Sequence, residues 1–305
     1  MSGNKPFFLP NDLNIVEGTI LGNCYKVEAF LGQGSFGFVT KCLNTQTNKA
    51  VAVKINKNDP KILEQAKLEI FILEQLRCLD PDSCNIVRWN GFFIDRERIC
   101  LNFELLDQSL FDYMKDNNFQ GLPISELRPL LYQLANALSH LSSMGIVHTD
   151  LKTDNLMVVD RHQCPIKVKI IDFGLACLVS SLVPGDCVQS LWYRAPEVML
   201  RAPFNQAIDI WSLGLIAAEL ATGLPLYPGK ADCFKKISFW LFFPPLFHFH
   251  FPLTQQAVAA DGRPCLSPVL PEVSSCQQGV FPPHCCQVLA HRESSDSWGG
   301  GSGGN

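Results

Sequence analysis

Two short segments carry the side chains best suited to bond-making chemistry. The first is His148-Thr149-Asp150-Leu151-Lys152-Thr153-Asp154-Asn155 and the second is Lys169-Ile170-Ile171-Asp172-Phe173-Gly174. Two carboxylates, an amide and a lysine on adjoining loops match the needs of phosphoryl transfer. One carboxylate orients an attacking hydroxyl, another pair of oxygens holds magnesium, and a cation balances charge on the group in flight. A third segment, Leu31-Gly32-Gln33-Gly34-Ser35-Phe36-Gly37-Phe38-Val39, is glycine-rich. Without Cβ atoms in the way, its backbone N–H groups can approach a polyphosphate closely. Taken alone, the same spacing also describes an ordinary hairpin with flexible glycines.

The elements around these segments narrow the choice. Residues 25–31 and 38–43 read as strands on either side of the glycines, and residues 50–55 as a third strand. Because no helix follows the glycines directly, a dinucleotide-binding unit or a Walker loop is disfavoured. The third strand, Val51-Ala52-Val53-Lys54-Ile55, sets a lysine among apolar residues, and a cation so placed needs a counter-charge. Asp59-Pro60 then opens a helix to about Leu79, with Asp as N-cap and Pro in the first turn. That helix offers Glu64, Glu69 and Glu74. At about 100° per residue, Glu69 shares a face with Ile62, Ala66, Leu73 and Leu76, whereas the other two point roughly 140° away. Glu69 is the one aimed inward, unless a helix this apolar all round leaves it on the surface. Apolar runs follow at 86–94 and 98–105. A helical stripe from about 125 to 144 carries Leu127, Leu130, Leu131, Leu134, Ala137, Leu138, Leu141 and Met144. A small sheet with one helix, followed by a mainly helical part, predicts two lobes.

Composition bounds the remainder. A net charge of −4 over 305 residues gives no global basic surface for nucleic acid or anionic lipid. Thirteen cysteines cannot all pair within one chain, and no C-x-x-C occurs, so reduced thiols of an intracellular protein are expected rather than zinc ribbons. The first ten residues lack a secretory pattern. The character changes near residue 234: only eight charged residues occur from Lys235 to Asn305. The aromatic stretch 237–253 is short for a membrane helix and is broken by Pro244, Pro245 and Pro252. After it the chain is rich in Pro, Ser, Cys and Gly and reads as disorder.

With Ala195-Pro196-Glu197 and Asp209-Ile210-Trp211-Ser212-Leu213-Gly214 added, the motifs follow one another in the order of the protein kinase superfamily, which the chain resembles. The resemblance implies an α+β, two-lobed kinase fold whose large lobe is truncated. It divides the chain into an N-terminal lead (1–24), an incomplete kinase domain (25–234, with lobes 25–106 and 107–234) and a tail of other character (235–305). By similarity, Gly32, Gly34, Ser35 and Gly37 cover the ATP phosphates, and Lys54 holds the α and β phosphates, oriented by Glu69. Leu31, Val39, Ala52 and Leu156 enclose the adenine, Phe103 lies behind it, and residues 104–106, with Glu104 and Leu106, form the hinge. Asp150 is implied as the catalytic base and Lys152 as support for the γ phosphate. Asn155 and Asp172 are implied to bind Mg2+. Leu73, His148 and Phe173 look like an apolar stack, and Asp209 like the anchor of the catalytic loop. Lys152 in D-L-K-x-x-N, with Ser190, looks like serine/threonine specificity. Trp192-Tyr193-Arg194-Ala195-Pro196-Glu197 resembles the group of cyclin-dependent, mitogen-activated and dual-specificity tyrosine-regulated kinases. Closer still, F-E-L-L-D-Q-S-L-F-D-Y and H-T-D-L-K look like homeodomain-interacting protein kinases. The implied protein is a monomer in the nucleus or cytoplasm that phosphorylates protein substrates, transcription-related ones among them, without binding nucleic acid or membrane.

Three departures matter. Thr149 stands where many kinases carry arginine, and Cys187 where the nearest relatives carry an activating tyrosine. The last helices of the large lobe are not recognisable, nor is an arginine for Glu197. A buried carboxylate left unpaired would cost about 3–5 kcal/mol, so a catalytically weak chain that binds nucleotide or a partner is the alternative expectation. Activation by tyrosine phosphorylation is therefore not expected. Phosphopeptide mapping of the purified protein should find no phosphotyrosine in residues 180–200, and a modified Tyr193 needed for activity would contradict this.

Overall fold

The computed structural model describes residues 15–229. Expectations for the stretch 237–253, for the segment after it, and for Arg263 and Arg292 lie outside the described residues. The first lobe is a six-stranded antiparallel sheet in the order β1-β2-β3-β4-β6-β5. Its strands are β1 (Ile20–Leu21), β2 (Tyr25–Gln33), β3 (Gly37–Asn44), β4 (Lys49–Asn56), β5 (Trp89–Asp95) and β6 (Arg98–Glu104), with helix α1 (Pro60–Leu76) between β4 and β5. The period-2 alternation of a strand decides the faces. Val51, Val53 and Ile55 join Val27, Phe38, Cys42 and Cys100 in one cluster. Ala52 and Lys54 therefore project from the opposite face. Ala66, Ile70 and Leu73 of α1 share the second, larger cluster with Phe92, Ile99 and Leu101 of the sheet.

The start of α1 follows the sequence closely: the Asp59 carboxylate accepts the Lys61 and Ile62 N–H groups, and Pro60 occupies the first turn. Its end falls at Leu76, short of the expected Leu79. Pro81 follows closely and restricts the backbone of Asp80 before it, so the last apolar residues enter a turn instead.

The second lobe begins with β7 (Gln108–Ser109) and α2 (Leu110–Asp116), a two-turn helix capped by the Ser109 hydroxyl, which accepts the Asp112 N–H at 3.0 Å. Helix α3 (Ile124–Ser143) buries Leu127, Leu130, Leu134, Ala137, Leu138 and Leu141 of the expected stripe, while Leu131 and Met144, the latter just past the helix end, are only partly buried. Short strands follow: β8 (Ile146–Val147), β9 (Leu156–Val158), β10 (Val168–Ile170) and β11 (Cys177–Leu178). They form a three-stranded sheet β10-β9-β7 and a two-stranded sheet β11-β8. Helices α4 (Pro196–Met199) and α5 (Ala207–Thr222) complete the described residues. The larger cluster runs without a break from α1 through Ile86, Leu106, Leu156, Ile170 and Phe173 into α3 and Leu220 of α5, so one apolar core fastens both lobes. The fold is α+β and two-lobed. All eight described cysteines are free thiols. Among the described residues no helix is long and apolar enough to cross a membrane.

The glycine-rich turn is closed by the Gly34 N–H donating to the Gly37 carbonyl at 2.9 Å. Its glycines differ in kind. A Cβ on Gly37 would collide with the Ile55 carbonyl of the paired strand, whereas one on Gly32 or Gly34 would meet nothing within 4 Å. Gly37→Ala is thus expected to destabilise the sheet by about 1–3 kcal/mol through overpacking. Gly34→Ala should leave the melting temperature unchanged. Thermal denaturation of the two variants checks the contrast.

Candidate active site

Lys54 leaves β4 toward the space between the lobes and meets two carboxylates. Its Nζ donates to both Glu69 oxygens, at 2.8 and 2.9 Å, and to Asp172 Oδ1 at 2.8 Å. Glu69 is buried on the inner face of α1, at 2% exposure. Glu64 and Glu74 instead pair at the surface with Lys67 and Arg77. Burial opposes the Lys54 charge, but Glu69 and then Asp172 outweigh it and raise the lysine's pKa. Burial likewise works against the charge of Asp172, yet Lys54 beside it carries the Asp172 pKa below the usual carboxylate range. The aromatic ring of Phe36, at the tip of the glycine turn, lies 5.7 Å from the Lys54 ammonium.

A second constellation gathers around Asp150. Its Oδ2 accepts from Lys152 Nζ at 2.7 Å and from Asn155 Nδ2 at 3.2 Å, and its Oδ1 accepts from the Ser190 hydroxyl at 2.7 Å. Asn155 Nδ2 also donates to the Asp150 carbonyl at 2.8 Å. With both amide protons spent on Asp150, the Asn155 oxygen is left for another partner. The Ile171 N–H donates to the Asn155 carbonyl at 3.0 Å, which fastens the loop of Asp172 beside that of Asn155.

The loop before Asp150 is held from beneath. Asp209, in the first turn of α5, accepts the His148 N–H at 2.7 Å and the Thr149 N–H at 3.0 Å. Burial raises the Asp209 pKa, against the lowering effect of His148 and of these two donors. Thr149 sits at φ +66°, unusual for a β-branched residue, and its hydroxyl donates to the Leu175 carbonyl at 2.7 Å. The Asp150 N–H donates to His148 Nδ1 at 3.3 Å, so the ring's proton is on Nε2, 2.9 Å from the Ile171 carbonyl. Phe173 packs edge-on against that ring, with centroids 5.2 Å apart. Asp172 itself adopts a left-handed conformation, φ +58°, which turns the chain into Phe173.

Of the residues expected to enclose a flat ring, Leu31, Val39 and Ala52 stand on paired strands of the six-stranded sheet and Leu156 on a strand of the second lobe. Gly32 pairs with Val39, Val39 with Lys54, and Ala52 with Phe103. Leu31 is half-exposed, Leu156 is fully buried on β9, and Glu104 ends β6 just before the buried Leu106. Oxygen donors suited to Mg2+ are Asp172 and the free Asn155 amide oxygen, a set that fits a hard cation completed by phosphate and water. Among the described residues no three His, Cys, Asp or Glu side chains gather into a metal site of their own.

Spacing in the sequence marked Ser190 but not its bond to Asp150. Nor did it mark the buried chain in which the Tyr193 hydroxyl donates to Glu219 Oε2 at 2.7 Å and meets the Thr153 hydroxyl at 3.2 Å. A glutamate inside the apolar helix α5 was the available signal. Burial pushes the Tyr193 phenol up, and its hydroxyl is committed inside the protein. Glu197 corrects one expectation: it is half-buried rather than buried, so solvent would reduce the penalty of a carboxylate without a cationic partner.

A lysine bridging two carboxylates from different lobes, beside an aspartate fitted with lysine and amide partners, defines a phosphotransferase-type centre. A family model for the protein kinase domain matches residues 25–243. The chain belongs to the protein kinase family. It is 46% identical over 224 residues to homeodomain-interacting protein kinase 2 of Mus musculus, covering 72% of this chain and 19% of that protein. It is 44% identical over 212 residues to homeodomain-interacting protein kinase 4 of Homo sapiens, covering 69% of this chain and 34% of that protein. The chain thus spans about a fifth to a third of the length of these curated relatives. The crystal structure of the PF14_0431 kinase domain superposes with a TM-score of 0.67 at 31% identity, over 72% of this chain and 70% of that one.

Replacing Asp209 by alanine leaves two buried N–H groups unpaired and releases the strained turn at Thr149. A loss of roughly 2–6 kcal/mol is expected, at about 1–3 kcal/mol for each of the two orphaned donors. Urea unfolding of Asp209→Ala beside the parent protein measures it.

Proposed function

We propose that the chain is an ATP- and Mg2+-dependent serine/threonine protein kinase that transfers the γ-phosphoryl group to protein hydroxyls. The observation that carries the reading is the Lys54 ammonium held at 2.8 Å from both Glu69 and Asp172. It joins the phosphate-facing strand to the loop that would hold the metal. In this reading the adenine lies among Leu31, Val39, Ala52 and Leu156 and bonds to the backbone of residues 104–106. Gly32, Gly34, Ser35 and Gly37 cover the phosphates, and Lys54 fixes their orientation. Mg2+, held by Asp172 and Asn155, supplies charge neutralisation of the phosphates when bound. Asp150 takes the hydrogen bond of the acceptor hydroxyl and aligns its oxygen for in-line attack. The Ser190 hydroxyl already makes such a bond to Asp150 Oδ1, which supports the carboxylate as a hydroxyl acceptor. Lys152, on the other Asp150 oxygen, offsets charge on the group being transferred.

The catalytic unit spans residues 25–234, with a lead at 1–24 and a tail at 235–305. It acts as a monomer on proteins of the nucleus or cytoplasm, transcription-related proteins among them, as similarity to the homeodomain-interacting kinases supports.

The test is transfer from ATP to a generic basic protein by residues 1–305, with Asp150→Asn and Lys54→Met alongside. Activity is expected in the parent and a fall of at least 10²-fold in each variant, the usual scale for losing a positioned catalytic group. No transfer by the parent, with ATP-dependent thermal stabilisation retained, would establish a nucleotide-binding module instead.

A further inference from the structure

Three residues before Asp172 lies a lysine that the phosphoryl-transfer scheme does not use. Lys169, on β10, is 4% exposed at its side chain, yet it carries a cation. Its Nζ donates to Asp82 Oδ1 at 2.7 Å and to Glu104 Oε1 at 2.6 Å. Glu104 Oε1 also accepts the Arg88 N–H at 2.6 Å, and the Arg88 guanidinium returns to Asp82 Oδ2 at 2.7 Å. A chain of four charged residues, closed into a ring through the Arg88 backbone N–H, therefore joins three separate stretches of chain. They are the loop after α1, the last residue of β6 where the chain crosses between lobes, and the strand that leads into Asp172. Backbone bonds run beneath the ring: the Val87 N–H donates to the Ile170 carbonyl at 3.0 Å, and the Ile170 N–H to the Asn85 carbonyl at 2.9 Å.

The members of this ring differ in exposure. Asp82 and Arg88 lie near the surface, at 59% and 46% side-chain exposure, where an ion pair contributes little. Lys169 and Glu104 are shielded, at 4% and 22%, so their attraction is poorly screened and either one left alone is expensive. Removing the lysine would leave the Asp82 and Glu104 carboxylates facing one another with no cation between them. Glu104 would then move toward solvent and carry the crossing backbone of residues 104–106 with it.

We infer that Lys169 is a positioning residue: it holds Glu104 so that the crossing backbone at residues 104–106 keeps its place relative to the Asp172 loop, and it thereby sets affinity for the nucleotide rather than the rate of transfer. The inference rests on the kinase reading above. It assigns to Lys169 no contact with nucleotide or substrate.

The experiment measures the KM and kcat for ATP, and the Kd for ADP by calorimetry, for residues 1–305 and for Lys169→Met, Lys169→Arg, Glu104→Gln and the double variant Lys169→Met/Glu104→Gln. Lys169→Met is expected to raise KM and Kd about tenfold with kcat within about twofold, the pattern of lost uniform binding. Arginine, which keeps the cation, should restore most of the affinity. The double variant should lose less than the product of the two single losses, because the pair acts together. Unchanged KM and Kd in Lys169→Met, or a change confined to kcat in either direction, would overturn the inference while leaving the kinase reading intact. Should Lys169→Met not fold, Asp82→Asn removes one side of the ring at an exposed position. It leaves the Lys169–Glu104 bond in place and serves as the control with KM near the parent's. Glu104→Gln, which removes the charge that Lys169 holds, then carries the test, a several-fold KM rise supporting the inference and none overturning it. A parent protein that neither binds nucleotide nor transfers phosphate would defeat the kinase reading and this inference together.

Discussion

The contact among Lys54, Glu69 and Asp172 is the constraint on which the arrangement of the site depends. The three side chains come from a strand, a helix and a loop of the second lobe, and two of the three are nearly removed from water. A buried ammonium without counter-charge is prohibitively unstable, so the lysine can occupy its place only if α1 is docked and the Asp172 loop is turned inward. The apolar core reinforces the same arrangement. Leu73, one turn beyond Glu69, and Phe173, next to Asp172, belong to one cluster, so the packing that docks α1 also brings the charges together.

A second constraint governs the loop of Asp150. Thr149 is held in a left-handed conformation that a β-branched side chain resists, at a cost of about 1–3 kcal/mol. The surroundings over-determine it: Asp209 takes its N–H, Leu175 takes its hydroxyl proton, and His148 is fixed between the Asp150 N–H and the Ile171 carbonyl. The consequence is that Asp150 has little freedom of its own. Its carboxylate already carries a lysine, an amide and a hydroxyl in defined directions, the pre-organisation that electrostatic catalysis needs. Thr149 also stands where many kinases carry arginine, and its short hydroxyl bonds across to the Leu175 carbonyl beyond Asp172 and provides no cation for a phosphorylated segment.

Much of this was readable from residue order. The apolar neighbours of Lys54 called for a counter-charge, and helical angle separated Glu69 from Glu64 and Glu74, because both depend only on nearby residues and local backbone geometry. Helix α2 was missed, since seven residues give too little periodicity to register. The overrun of α1 to Leu79 was a boundary error of the kind expected where an apolar run continues into a turn. The ring around Lys169 and the chain of Tyr193, Thr153 and Glu219 were invisible for a different reason: their members lie far apart in sequence and obey no period.

The amino-acid sequence determined, without help, which side chains could do phosphoryl-transfer chemistry and which local element carries each, because strand, helix and turn preferences act over a few residues. It could not decide that Glu197 keeps its contact with water, or that Gly37 is needed for the backbone of β4 while Gly34 faces open space. Nor could it decide that Ser190 bonds to Asp150 across forty residues of chain. Those outcomes depend on how separately formed elements pack and exclude solvent. Only the tertiary structure sets the distances and burial that turn a carboxylate, a lysine and an amide into a site.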